Sequence, residues 1–289
     1  MGTTEAVGAE VVDTVAASTA QSVANRVIFD LRGSLSTIDS DVSGDADPQT
    51  VTPAHDAPEP AFVEQAEPLS PLHGRVAIVT GGASGIGRAI ALSFAAAGAR
   101  VCVIGGDIAQ LRETVELAAP NAAMVFLPCD MGSLVEIDGV VDFINRFDRP
   151  VDCIVHAEAT RVPGSLGDGS VQDLDEQYLV NVRGPFLLTQ RLLERLVEAR
   201  GRVVFMRRFG GDSFAQHDLV SETIRAYAEG LRSEVGASIA VSSVVSDATV
   251  GDDVVTAAVM HAVTAPPEVE VGEIRLRSRT GAVDGRLGD

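Results

Sequence analysis

The residues richest in chemical possibility run from Thr80 to Gly87, Thr-Gly-Gly-Ala-Ser-Gly-Ile-Gly. Glycines at 81, 85 and 87 let a backbone turn tightly and approach a phosphate with no Cβ in the way. A helix beginning there aims its unpaired N–H groups and the positive end of its dipole at the same anion. Thr80, Gly81, Ser84, Gly85, Ile86 and Gly87 are therefore the candidate contacts for a nucleotide pyrophosphate. Two carboxylates stand just beyond later apolar runs: Asp107, after Gly105-Gly106, and Asp130, followed by Met131. An acid after the second strand of such a unit accepts hydrogen bonds from a ribose, and Asp130 serves equally well as a helix cap.

These groups need elements that hold them. The run Val76 to Val79 reads as a strand, and Arg88 to Phe94 repeats its apolar residues at helical spacing, which gives strand, turn, helix. From Gly74 onward the pattern keeps alternating. Strands are expected over 74–80, 100–105, 123–128, 151–156, 201–207, 238–245 and 269–277. Helices are expected over 85–98, 107–118, 132–147, 172–199, 216–235 and 251–264. Uninterrupted apolar strands such as Val101 to Ile104 and Val241 to Val245 imply burial on both faces. The fold class is thus α/β, a Rossmann-type doubly wound parallel sheet.

Residues 1–72 read differently. Val7, Val11, Val15, Val23, Val27 and Leu31 recur in steps of four, an amphipathic helix over about 5–31 within a segment 1–39. Six prolines lie between Pro48 and Pro71 among Asp, Glu and Ala, so 40–72 reads as an acidic linker, and 73–289 as the folded domain. The 12 acidic residues against Arg26 and Arg32 give 1–72 a charge of −10 of the total −19. That balance argues against nucleic acid and anionic membranes as partners. With no long apolar stretch and no basic leader, a cytoplasmic protein is expected. Cys102, Cys129 and Cys153 lie in or beside expected core strands and read as buried thiols rather than a disulfide or metal site. All 22 basic residues are arginine, so no mechanism that needs a lysine of this chain is open to it.

The spacing Thr-Gly-x-x-x-Gly-x-Gly, with Ile78-Val79 before it and Arg88-Ala89-Ile90-Ala91 after it, resembles the short-chain dehydrogenase/reductase family. The similarity covers about residues 74–278: Ile224 to Val235 resembles the helix that carries that family's active-site lysine, and Pro266 to Arg277 resembles its closing strand. The resemblance implies NAD or NADP at the glycine turn, with Asp107, Asp130 and Met131 added to its contacts; Asp107 leans toward NAD and the choice stays open. It also implies carbonyl reduction or alcohol oxidation by a Ser, a Tyr-x-x-x-Lys and an Asn, the tyrosine passing the proton and the lysine lowering its pKa.

This chain departs from that pattern. His217 falls at the tyrosine position, Ser221 at the lysine position and Arg208, beside Arg207, at the serine; only Asn181 matches. Tyr178 and Tyr227 are followed four residues on by Val182 and Leu231, so no shifted motif replaces the site. The fourth strand ends His156-Ala157-Glu158-Ala159 where the family has Asn-Asn-Ala-Gly, and Ser246-Asp247 replaces Pro-Gly after the sixth. No catalytic residue is therefore assigned. A Glu158 pair with Arg207 or Arg208, with His156 or His217 as a further member, is expected to fill the old pocket. The readings left open are a pseudoenzyme that forms a homo- or hetero-oligomer with an active paralogue through 172–199 and 216–235, an active oxidoreductase built around His217, and an NAD(P)-responsive regulator. Leu187, Leu188, Leu192, Leu193, Leu196, Ile224 and Leu231 give those two helices their apolar faces.

Overall fold

The computed structural model describes residues 70–160, 167, 169–209 and 215–279. The expected helix within 1–39 and nearly all of the 40–72 linker lie outside the described residues. Leu72 is already part of the domain: it is buried, and its N–H donates to the Ala97 carbonyl at 3.0 Å.

Seven strands form one parallel sheet in the order β3-β2-β1-β4-β5-β6-β7. They are β1 Val76–Thr80, β2 Arg100–Gly105, β3 Met124–Pro128, β4 Cys153–His156, β5 Arg202–Phe209, β6 Ala240–Asp247 and β7 Glu273–Leu276. The strand order reverses between β1 and β4, the switch point at which doubly wound sheets leave a crevice at their C-terminal edge. Helices α1 Gly85–Ala96, α2 Ile108–Glu116 and α8 Asp252–Thr264 cover one face. There Val79, Ile90, Phe94, Val103, Leu111, Val204 and Val259 form a fully buried layer. Helices α3 Leu134–Ile144, α5 Gly184–Arg191, α6 Leu193–Ala199 and α7 Ala215–Val235 cover the other, over Ile78, Ile104, Ile154, Leu188, Phe205 and Val241. The expected doubly wound α/β fold is the one observed.

The expected single helix over 172–199 is broken. It consists of α4 Val171–Tyr178, a π-helical turn Leu179–Arg183, then α5 and α6. At the break Gly184 presses on the preceding loop, where a Cβ would lie 2.3 Å from the Met131 carbonyl oxygen, and Pro185 contributes no N–H. The closing strand is also shorter than expected, because the Glu270 carboxylate accepts the Val241 N–H at 3.0 Å in place of a ladder bond. In compensation β5 and β6 run two residues further, pairing Arg208 with Ser246 and Phe209 with Asp247.

Candidate functional site

β1 ends at Thr80, fully buried, and the chain enters the glycine turn with Gly81 at φ +66°. Packing dictates most of the glycines here. A Cβ on Gly87 would lie 2.2 Å from the Gly81 oxygen, and one on Gly82 would lie 1.9 Å from Val103 Cγ1. Gly85, at φ +52°, has open space around its missing side chain. Arg88 fastens the turn from inside α1: its guanidinium donates to the Ala83 carbonyl at 2.6 Å and pairs with Glu113 at 2.7 Å. Thr114 Oγ1 donates to the Gly82 carbonyl at 2.9 Å. Ser84 is the N-cap of α1 but makes no side-chain cap bond, and the first turn carries no acid. The start of α1 is therefore open to an anion.

The two candidate cofactor carboxylates, Asp107 and Asp130, have local duties. Asp107 caps α2, accepting from the Gln110 N–H at 3.0 Å and from its amide at 2.8 Å, and these bonds hold its pKa below the usual carboxylate range. Asp130 accepts from the Gly132 N–H at 2.7 Å while its own N–H donates to Glu136 at 2.9 Å. The N-cap of α3 is Ser133, so Asp130 is not the helix cap. The Met131 side chain is buried in the core.

Glu158 departs from expectation. Neither arginine pairs with it; Arg207 and Arg208 are held elsewhere by Glu222, Glu273 and Asp252. Because β4 pairs with β1 in the register Thr80 to His156, the residues after β4 lie against the glycine turn. The Glu158 N–H donates to Thr80 Oγ1 at 3.3 Å, and a Cβ on Gly81 would lie 2.7 Å from both the Ala157 carbonyl and the Glu158 nitrogen. The carboxylate is turned into the same space. Burial raises its pKa, the Gly81 N–H partly offsets this, and the nearby Asp130 charge adds to the rise. Oε2 is buried without a hydrogen-bond partner. The cradle at α1 fits a dinucleotide; Glu158, in this position, does not.

Period-two alternation along β5 sends Arg207 toward α7 and Arg208 toward α8. Arg207 is nearly sealed from solvent. Its Nε donates to the Ser221 carbonyl at 3.0 Å and to Ser221 Oγ at 3.3 Å, and its terminal nitrogens reach Glu222 at 2.7 Å and Glu273 at 3.6 Å. Burial lowers its pKa and the two carboxylates work against that. Arg208 lies 3.8 Å from Asp252. The ring of His217 meets the Arg208 carbonyl through Nε2 at 3.1 Å. Asn181, in the π-helical turn, clasps the Thr160 backbone on both sides, Nδ2 donating to its carbonyl at 2.8 Å and Oδ1 accepting its N–H at 2.9 Å. The four positions where the resemblance puts catalytic groups thus hold a guanidinium lattice and a loop clasp.

Sequence reasoning missed a second buried cluster. His156 lies on Phe205 with ring centroids 5.1 Å apart, and its Nε2 shares a 2.8 Å hydrogen bond with Thr189. Tyr227 reaches the same threonine and packs edge-on to Phe205. Burial pushes the His156 pKa down to about 3 and the Tyr227 pKa up to about 12, so both are neutral at ordinary pH. No spacing in the sequence brings residues 156, 189 and 227 together. The three cysteines are buried free thiols. No helix among the described residues is long and apolar enough to cross a membrane.

Comparison with known proteins places this geometry. Residues 75–216 match the family described as short chain dehydrogenase. Over 136 residues the chain is 36% identical to the (2S)-[(R)-hydroxy(phenyl)methyl]succinyl-CoA dehydrogenase subunit BbsD of Thauera aromatica, covering 46% of this chain and 54% of that protein. It is 30% identical over 135 residues to the D-threitol dehydrogenase of Mycolicibacterium smegmatis, covering 46% and 52%. The chain therefore spans about half the length of these curated relatives. Among solved structures, a metagenomic short-chain oxidoreductase in complex with NADP superposes with a TM-score of 0.67 at 23% identity, covering 72% of this chain and 98% of that one. The sequence match to that family thus spans residues 75–216, and the fold is the one seen in solved short-chain oxidoreductase structures.

Proposed function

We propose that this chain is a non-catalytic subunit of the short-chain dehydrogenase type, which associates with a competent paralogous oxidoreductase. The observation that carries this reading is the Arg207 lattice. Ser221 stands where an activating lysine would be and is engaged by a buried guanidinium, and His217 stands where the tyrosine would be and is turned onto the Arg208 carbonyl. Positioned proton transfer contributes about 10²- to 10⁴-fold to such reactions, and the groups that supply it in the family are replaced. The relative from Thauera aromatica is itself named as a subunit of a dehydrogenase, which supports assembly as the role of this fold.

The association surface is the outer side of α4–α6 and α7. Leu188, Leu192, Leu196 and Leu231 are buried against the sheet and are not available to a partner. Tyr178 and Phe186 on α4 and α5, and Leu219 on α7, remain exposed at 46%, 45% and 56%. Thr80, Gly81, Ser84, Gly85, Ile86, Gly87, Asp107, Asp130 and Met131 are the positions at which NAD or NADP would be met. The test is carbonyl reduction with NADH and NADPH by the purified chain, by a short-chain paralogue encoded with it, and by the mixture. The proposal expects no turnover from the chain alone, co-elution with the paralogue, and a rate for the mixture above that of the paralogue. Failure to co-elute overturns it.

A further inference from the structure

Among the described residues at the crevice, Glu158 is one whose chemistry opposes its surroundings. The glycine turn and the start of α1 gather backbone N–H groups and the positive end of a dipole, an arrangement suited to an anion. Glu158 comes from the neighbouring strand β4 and brings an anion of its own. Its backbone is fixed by the bond to Thr80 Oγ1 and by contact with Gly81, so the side chain has only its own torsions with which to leave. Its carboxylate meets the Gly81 N–H, and Oε2 is enclosed without a partner.

The charged neighbours do not neutralise it. Asp130 on the β3–α3 loop faces it, and Glu136 on α3 joins Glu158 and Asp130 around the Cys129 thiol, whose pKa burial and these three charges raise. The nearest strand arginines are committed to Glu222, Glu273 and Asp252, and Arg88 to Glu113. Among the described residues no cation pairs with Glu158.

We propose that Glu158 is the specificity-determining residue of the glycine turn: its carboxylate occupies the Gly81 donor and sets a negative charge beside α1, excluding nicotinamide dinucleotides from an otherwise competent cradle. A dinucleotide brings two phosphate charges to that crevice and enters only when Glu158 is displaced or has taken up a proton from solvent. Removing the charge opens the site. This inference rests on the short-chain dehydrogenase fold and not on association with a paralogue, so the two stand or fall separately.

The experiment is fluorescence titration of the full chain with NADH and with NADPH, for the wild type, Glu158→Ala and Glu158→Gln, at pH 7.5 and at pH 5.5. The expected result is at least tenfold tighter binding by either variant at pH 7.5. The wild type tightens toward pH 5.5 as Glu158, whose pKa burial raises, takes up a proton, while Glu158→Gln changes less. Should Glu158→Ala fail to fold, as read by circular dichroism, the isosteric Gln variant carries the comparison. Wild-type binding within threefold of the variants overturns the proposal. So does the absence of binding by every variant, since the turn is then no cradle even without the charge.

Discussion

Arg207 and Ser221 are joined twice, the guanidinium Nε donating to both the carbonyl and the hydroxyl of the serine at 3.0 and 3.3 Å. A lysine at 221 would have to share that space with a buried cation. Ser221→Lys, which places a lysine where the resemblance expects one, is therefore predicted to destabilise the fold by on the order of 3 kcal/mol. Arg207→Met removes the guanidinium and its charge-assisted bonds at a cost of about 2 kcal/mol. Combining the two should cost less than their sum, because the repulsion is gone. Glu222→Gln, at a carboxylate 59% exposed, should cost under about 1 kcal/mol. Urea melts of the single and double variants check the ordering.

The glycines of the turn divide by cause. Gly87→Ala drives a methyl onto the Gly81 oxygen and is predicted to cost about 3 kcal/mol or to prevent folding. Gly85→Ala meets open space and only the penalty of a left-handed backbone, ~1 kcal/mol. Thermal melts that fail to separate the two variants would show that the turn packs differently.

His156 predicts a pH effect. Its folded pKa lies near 3, well under the unfolded value of 6.5, so below about pH 6.5 the unfolded chain takes up a proton that the folded one refuses. Stability should fall as pH drops, by up to about 1.4 kcal/mol per pH unit through the acid range. His156→Gln keeps a hydrogen-bonding group for Thr189 and removes this contribution. The difference between the wild-type and variant stability profiles from pH 7 to pH 5 isolates it from the carboxylates, and parallel profiles would contradict the buried neutral imidazole.

Arg202 predicts a local effect far from the crevice. Its guanidinium gathers the carbonyls of Ala262, Ala265, Pro266 and Val269, where α8 ends and its last C=O groups lack helical partners. Arg202→Met should cost about 2 kcal/mol and raise hydrogen exchange around residues 262–270 before the rest of the domain.

Much of this architecture was legible in the sequence because it repeats a simple signal. Apolar strands such as Val101 to Ile104 can only be buried on both faces, and the glycine turn between β1 and α1 fixes the order of the unit. The breaks were less legible. The π-helical turn at Leu179–Arg183 depends on Gly184 meeting Met131, a contact between residues more than fifty positions apart. At the site, the sequence offered His217, Ser221 and Arg208 at the positions where the resemblance expects proton-transfer groups, and the proposed non-catalytic role starts from them. The partners taken up around these positions could not be read from it. Arg207 chose Glu222, one position past Ser221 on α7, and Glu273 on β7, while Glu158 turned to the glycine loop. Those choices follow from strand alternation along β5 and the register of β4 on β1, which no local spacing encodes.

The most direct measurement is NADH and NADPH oxidation by the purified chain alone, across a panel of ketones and aldehydes, beside the His217→Ala variant. The account predicts that neither protein turns over above the rate without protein. Sustained turnover by the wild type that disappears in His217→Ala would contradict it.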